Sequence, residues 1–306
     1  MKKLLLIMVT LIGLSNFLPL PTVAAPNWPI PDGLKTVEVN GYYMAYQETG
    51  SGIPFVLVHG SMCDYRTWNV QLPEFSKGYR TILVNLRHYY PEKWDGIGDD
   101  FSIIQHASDV AALIKTLNLG KVHLLGHSRG GGVVLHVARL YPEVIRTLIL
   151  EDAGGMESLL PAFSESTTLA AKGAEIRKTL RTNISGGDMD KAAREFTDAW
   201  NGPGSWEKIP VAIKQMILDN LGTGMAVDER PKISCPDIQG YNFPVLLLTG
   251  ERSPKRYGQI YDAMRQCKPD IPAQVVVPNA THTMHGANLG NSEFFNKVVL
   301  EFVNQH

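Results

Sequence analysis

The chain has 306 residues, enough for one large α/β domain or two smaller ones. Its formal net charge is −1 with 19% charged residues, so no basic field marks it as a nucleic-acid binder. A hydrophobic content of 44% supplies a sizeable core, and Cys63, Cys235 and Cys267 show no metal-ligand spacing with the histidines.

In chain order, Met1-Lys2-Lys3 is a basic start, Leu4 to Leu14 is apolar, and the small residues of Thr22-Val23-Ala24-Ala25 fit cleavage after Ala24 or Ala25. The apolar run is short of the roughly 20 residues a membrane span needs. Residues 1–25 are therefore expected to be a signal peptide. The product is expected to be exported, periplasmic or secreted, with no stable membrane insertion after cleavage. An oxidising compartment permits one disulfide. Cys235 and Cys267, both in the C-terminal third, are the candidate pair, and three free thiols are the alternative.

Thr36 to Asn40 and Tyr42 to Gln47 flank the turn Asn40-Gly41 and read as paired strands. Phe55 to Val58 is wholly apolar, as a strand covered on both faces would be. Thr81 to Leu86, Val122 to Leu125, Thr147 to Glu151, Val245 to Leu248 and Gln274 to Val277 repeat that character. Between them, apolar residues from Ile103 to Leu117 recur at helical spacing behind the N-cap candidate Ser102. Val133 to Tyr141 and Ser292 to Val303 read as further helices. Strands alternating with helices predict a mainly parallel sheet with helices on both faces. From Gly154 to Tyr241 the alternation stops. Leu169 to Thr182, Asp188 to Trp200 and Val211 to Leu221 are helix-compatible there, which predicts a helical insertion over the strands' carboxyl ends.

Within this frame, Gly126-His127-Ser128-Arg129-Gly130 follows a strand and opens a helix. That context suits a nucleophile elbow, in which small residues two positions either side make room for a strained serine. A phosphate loop would need Gly-Lys-Ser/Thr, which the chain lacks. Ser128 needs a base, and His282, delivered by the last strand and a short loop, is the candidate, with His285 its local rival. Carboxylates that could orient the imidazole stand at two strand ends, Glu151-Asp152 and Glu251. The backbone N–H groups of Ser61, in His59-Gly60-Ser61-Met62, and of Arg129 are the expected oxyanion donors.

These motifs resemble the α/β-hydrolase fold family, in its cap-bearing form, from about Thr36 to Val303. His59-Gly60 with Trp68 downstream, the elbow, the helical insertion and the order serine, acid, histidine carry the resemblance. It implies an eight-stranded, mainly parallel sheet with a helical cap after the sixth strand: residues 26–153 and 242–306 as core, 154–241 as cap. The family's commonest acid position is occupied by Ser253, which carries no charge. Asp152 matches the position some cap-bearing members use and is the preferred acid, with Glu251 second. Asn85 to Tyr90 departs from the family's usual Asp-x-x-Gly-His-Gly, and Tyr89 and Tyr90 are expected at the pocket rim.

The implied activity is hydrolysis of small to medium apolar carboxylic esters through an acyl-enzyme on Ser128, with no cofactor and no metal. Lactones, thioesters and C–C bonds beside a carbonyl suit the same groups, and the elbow serine argues against the aspartate-dependent dehalogenases and epoxide hydrolases. Met156, Leu159, Leu160, Phe163, Phe196, Trp200, Trp206, Met216 and Met225 are expected to form mainly the cap's own core, some lining the pocket. The alternative from another class is a non-catalytic small-molecule-binding relative.

Overall fold

The computed structural model describes residues 26–160, 165–226 and 231–306. The expected signal peptide and Phe163 lie outside the described residues. The strands are β1 Leu34–Val39, β2 Tyr42–Thr49, β3 Pro54–Val58, β4 Arg80–Val84, β5 Val122–His127, β6 Ile145–Glu151, β7 Val245–Gly250 and β8 Val275–Val277. The helices are α1 Leu72–Phe75, α2 Ile103–Thr116, α3 Arg129–Leu140, α4 Glu165–Ser185, α5 Met189–Asn201, α6 Ser205–Lys208, α7 Val211–Asp219, α8 Cys235–Gln239, α9 Arg256–Cys267 and α10 Ser292–Asn304.

The eight strands form one sheet in the order β1-β2-β4-β3-β5-β6-β7-β8. Only β2 runs antiparallel to its neighbours. Alternate residues of the apolar strands point to opposite faces. In β3, Val56 and Val58 pack with Val110, Val134 and Ile260 of α2, α3 and α9. Phe55 and Leu57 pack on the other face with Phe295 and Val299 of α10. This double cover explains why β3 and β5 carry no polar alternation. Ser102 caps α2, its hydroxyl accepting the Gln105 N–H at 3.0 Å.

Helices α4 to α8 fill the interval between β6 and β7. The insertion has its own apolar cluster of Leu180, Ala192, Ala193, Trp206, Ile209 and Ile217, into which Met62 of the sheet's upper loop reaches. Polar bonds fasten it below. Arg66 donates to Asp64 and Asp219, and Asn220 Nδ2 donates to Asp64 Oδ2 at 2.8 Å.

Helix α9 was not anticipated. Tyr257, Ile260, Tyr261 and Met264 form its buried stripe, but Gly258 and five charged or amide side chains dilute the pattern. A disulfide joins Cys235, at the start of α8, to Cys267, at the end of α9, with Cα atoms 5.1 Å apart. Cys63 is a free thiol.

Candidate active site

Ser128 stands between β5 and α3 with φ 52° and ψ −113°, a conformation that costs on the order of 1–3 kcal/mol and persists only where the surroundings impose it. The surroundings are backbone. Ser128 N–H donates to Glu151 O at 2.9 Å, and Ser128 O accepts from Gly132 and Gly154 N–H at 3.2 and 3.0 Å. A Cβ at Gly126 would lie 2.4 Å from Gly130 O, and one at Gly130 would lie 2.4 Å from both Val58 O and His59 O. Both glycines are therefore required by the close passage of main chain.

This turn holds the Ser128 hydroxyl toward the loop after β8. Ser128 Oγ–H donates to His282 Nε2 at 2.9 Å, and His282 Nδ1–H donates to Asp152 Oδ2 at 3.0 Å. Asp152 sits just past β6 and His282 just past β8, so three parallel strands deliver the three groups to one sheet edge. Of the two sequence candidates for the acid, Asp152 is fully buried against the imidazole. Glu251 is exposed and accepts the Asn279 N–H at 2.7 Å. Ser253 occupies the vacated acid position. Its hydroxyl and that of Thr249 face the Asp152 carboxylate and oppose the rise that burial imposes on its pKa.

Burial, then the nearby Arg256 guanidinium and His285, push His282 well below the ordinary imidazole range, leaving Nε2 free to accept a proton. His127 Nε2–H donates to His282 O at 3.0 Å. Asn201, the last residue of α5, accepts from the Thr281 hydroxyl at 2.8 Å and from the Thr283 N–H and hydroxyl at 3.2 and 3.0 Å. The histidine loop is thus clamped from the core and from the insertion.

Ser61 and Arg129 line the same cavity. Behind Ser61, Leu86 N–H donates to His59 Nε2 at 3.1 Å, which fixes the tautomer, and His59 Nδ1–H then donates to Gly60 O at 2.9 Å. Burial lowers this imidazole to about 4, so the brace is neutral.

His285, the rival base, is elsewhere engaged. Its Nδ1 lies 2.7 Å from Glu151 Oε1 and its Nε2 2.9 Å from Thr67 Oγ1. His127, Glu151 and His285 bring potential ligand atoms within 4.8 Å of one another and are the group among the described residues that could hold a metal. The hydrogen bonds just given already occupy both ring nitrogens of His285. Burial raises the Glu151 carboxyl to about 8.

A cavity of about 530 Å³ lies over Ser128. Its roof comes from the insertion, through Phe196, Trp200, Ile209, Ile213, Met216 and Ile217. Trp206 belongs to the insertion's own cluster, whereas Met156, with Leu159 and Leu160 against it, packs into the sheet's core and not the cap's. Tyr89 and Tyr90 do not line the cavity. Tyr89 is buried edge-on against the His59 ring at 4.6 Å, and Tyr90 lies under Arg66. The polar appearance of a tyrosine pair concealed a packing role. Sequence reading also missed Arg256 and Tyr257, because they belong to the unanticipated α9. Tyr257 stacks on the His282 ring at 4.9 Å.

The chain matches the alpha/beta hydrolase fold family over residues 53–285 and belongs to it. A thermophilic esterase from Thermogutta terrifontis superposes with a TM-score of 0.68 at 26% identity, covering 89% of this chain and 98% of that one. A putative 2-succinyl-6-hydroxy-2,4-cyclohexadiene-1-carboxylate synthase of Bacillus subtilis is 25% identical over 90% of this chain and 97% of its own length. An uncharacterized protein of Mycobacterium tuberculosis is 30% identical over 141 residues, 46% of this chain, and the match spans only 39% of that relative.

Proposed function

We propose that the protein is an exported serine hydrolase of carboxylic esters, using Ser128, His282 and Asp152. The observation that carries the reading is the continuous relay Ser128–His282–Asp152, at 2.9 and 3.0 Å, opening into a largely apolar cavity. In this mechanism His282 takes the Ser128 proton as Oγ attacks the ester carbonyl. The oxyanion is held by the Ser61 and Arg129 N–H groups. Asp152 stabilises the imidazolium, which then protonates the leaving alcohol. His282 next activates water, and the acyl-enzyme releases the acid. The similar esterase from Thermogutta terrifontis supports the ester reading. Residues 154–241 serve in this reading as the cap on a core of residues 26–153 and 242–306.

Export rests on the N-terminal sequence, and the Cys235–Cys267 disulfide suits an oxidising compartment. No helix among the described residues is long and apolar enough to cross a membrane.

A fluorophosphonate probe is expected to label the mature protein at Ser128, and Ser128→Ala to abolish both labelling and turnover of short esters. A folded protein that takes no label and turns over no ester refutes the reading. Recovery of protein from the expressing cells with an N-terminus at Ala25 or Pro26 tests export. An intact Met1 in the mature pool refutes it.

A further inference from the structure

Four arginines line the cavity over Ser128. The Arg66 guanidinium is matched by the carboxylates of Asp64 and Asp219. Arg129 donates from Nη2 to His106 Nδ1 at 2.9 Å and lies over the Phe101 ring. Arg256 differs. It is only 8% exposed, and among the described residues no carboxylate pairs with it. Among the described residues it makes one hydrogen bond, from Nη2 to Tyr257 Oη at 2.7 Å, and its buried Nε has no partner. The guanidinium is packed between aromatic rings, 4.6 Å from the centroids of both Trp200 and Tyr257. Both rings also touch the catalytic imidazole, at 5.7 and 4.9 Å. Arg177 of α4 comes to the same place: its Nη1 and that of Arg256 each lie 3.6 Å from the point a Gly173 Cβ would occupy.

A guanidinium does not shed its proton, and a buried charge is costly unless it is paired. Cation–π contact with two rings offsets part of that cost, but Nε is buried without an acceptor while the side chain lines the cavity. Glu157, the carboxylate that lines the same cavity, accepts the Gly155 N–H at 2.9 Å instead. Asp152 and Glu157 act on the guanidinium only at a distance, without a hydrogen bond to it, so a hydrogen-bonding anion is sought in what the cavity receives.

We infer that Arg256 is an anion site that binds a carboxylate carried by the substrate, so that the ester cleaved at Ser128 is the half-ester of a short dicarboxylic acid or a close analogue. One ring separates the guanidinium from His282, which places the carboxylate a few bonds from the scissile carbonyl. Apolar side chains of the insertion cover the carbon chain between. This narrows the ester reading above and rests on it for the reaction, though not for the binding.

The first test compares monoethyl glutarate with ethyl 5-methylhexanoate, which has a neutral group of the same shape in place of the carboxylate. The wild type is expected to favour the anion in kcat/KM by roughly tenfold or more, as a charge-assisted hydrogen bond supplies. Arg256→Gln is expected to bring the ratio near one, with the loss mainly in KM, and Arg256→Lys to keep part of it. A wild-type ratio at or below one, or a ratio that Arg256→Gln leaves unchanged, overturns the inference even where Ser128 takes the fluorophosphonate. The second test needs no catalysis. Glutarate, but not glutaramide, is expected to change the tryptophan emission of Ser128→Ala saturably through Trp200, and Arg256→Gln to lose that change. No saturable change, or one that persists in the double variant, overturns the site independently of the esterase reading.

Discussion

Replacing Asp152 by asparagine tests the part of the site that the sequence left open between two acids. The carboxylate accepts the His282 Nδ1–H at 3.0 Å from a fully buried position. When Ser128 gives up its proton, the imidazole becomes a cation against this carboxylate. With charge centres about 4–5 Å apart and an effective dielectric near 20, their attraction is about 3–4 kcal/mol, or roughly three powers of ten in rate. Asparagine removes that attraction. It can also present its NH2 to Nδ1, which turns the ring to the tautomer that carries hydrogen on Nε2 and blocks proton transfer from Ser128. Together these predict a fall in kcat of about 10³–10⁴-fold with little change in KM. Glu251 is exposed and bonded to Asn279 N–H, so Glu251→Gln is expected to change kcat less than about twofold. Steady-state kinetics on a short chromogenic ester, with circular dichroism to confirm folding, decides it. Near-full activity in Asp152→Asn beside collapse in Glu251→Gln refutes the assignment.

Acid should unfold the protein early. Burial depresses His59 and His123 to about 4, and His127, His282 and His285 to about 3. Groups with lowered native pKa contribute stability that is full above the unfolded value near 6.5 and is lost as pH falls toward the native one. Each costs up to about 1.4 kcal/mol per pH unit in that window. Urea midpoints should drop steeply from pH 6.5 to 4, and a flat profile refutes this. Glu151, raised to about 8, acts in the opposite sense: it favours the native state below about 4.5, and that contribution fades as pH rises through 8. Reducing Cys235–Cys267, 32 residues apart, should cost about 3–4 kcal/mol by loop entropy, read as a lower Tm with dithiothreitol, while an unchanged Tm refutes it. Gly130→Ala, whose Cβ meets two backbone oxygens at 2.4 Å, should destabilise by about 1–3 kcal/mol and cut fluorophosphonate labelling of Ser128. A variant labelled at the wild-type rate would show that the elbow tolerates a side chain.

What could be read from the sequence divides along a physical line. Wholly apolar runs such as Phe55 to Val58 and Val245 to Leu248 declared strands covered on both faces, because a single period-free signal suffices when every position is buried. The elbow was legible because its geometry admits only small residues at Gly126 and Gly130, and a steric demand of that kind leaves its mark in the residue type itself. Local pattern alone did not separate Asp152 from Glu251, since both follow a strand; only the family resemblance put Asp152 first. What distinguishes them is reach: Asp152, with φ 39° just past β6, turns inward to the imidazole, and no local pattern encodes that. Tyr89 failed for a related reason, as an amphipathic ring fits a pocket rim or a core equally well. Arg256 was harder still. Its meaning lies in which groups are missing around it. That is a property of the assembled cavity, set by α4, α5 and α9 together, and no single segment carries it. Residues whose role is fixed by backbone space can therefore be found in the chain. Those whose role is fixed by an unmatched donor become visible only when the fold has gathered the neighbouring groups and left a guanidinium with no hydrogen-bonded carboxylate among the described residues.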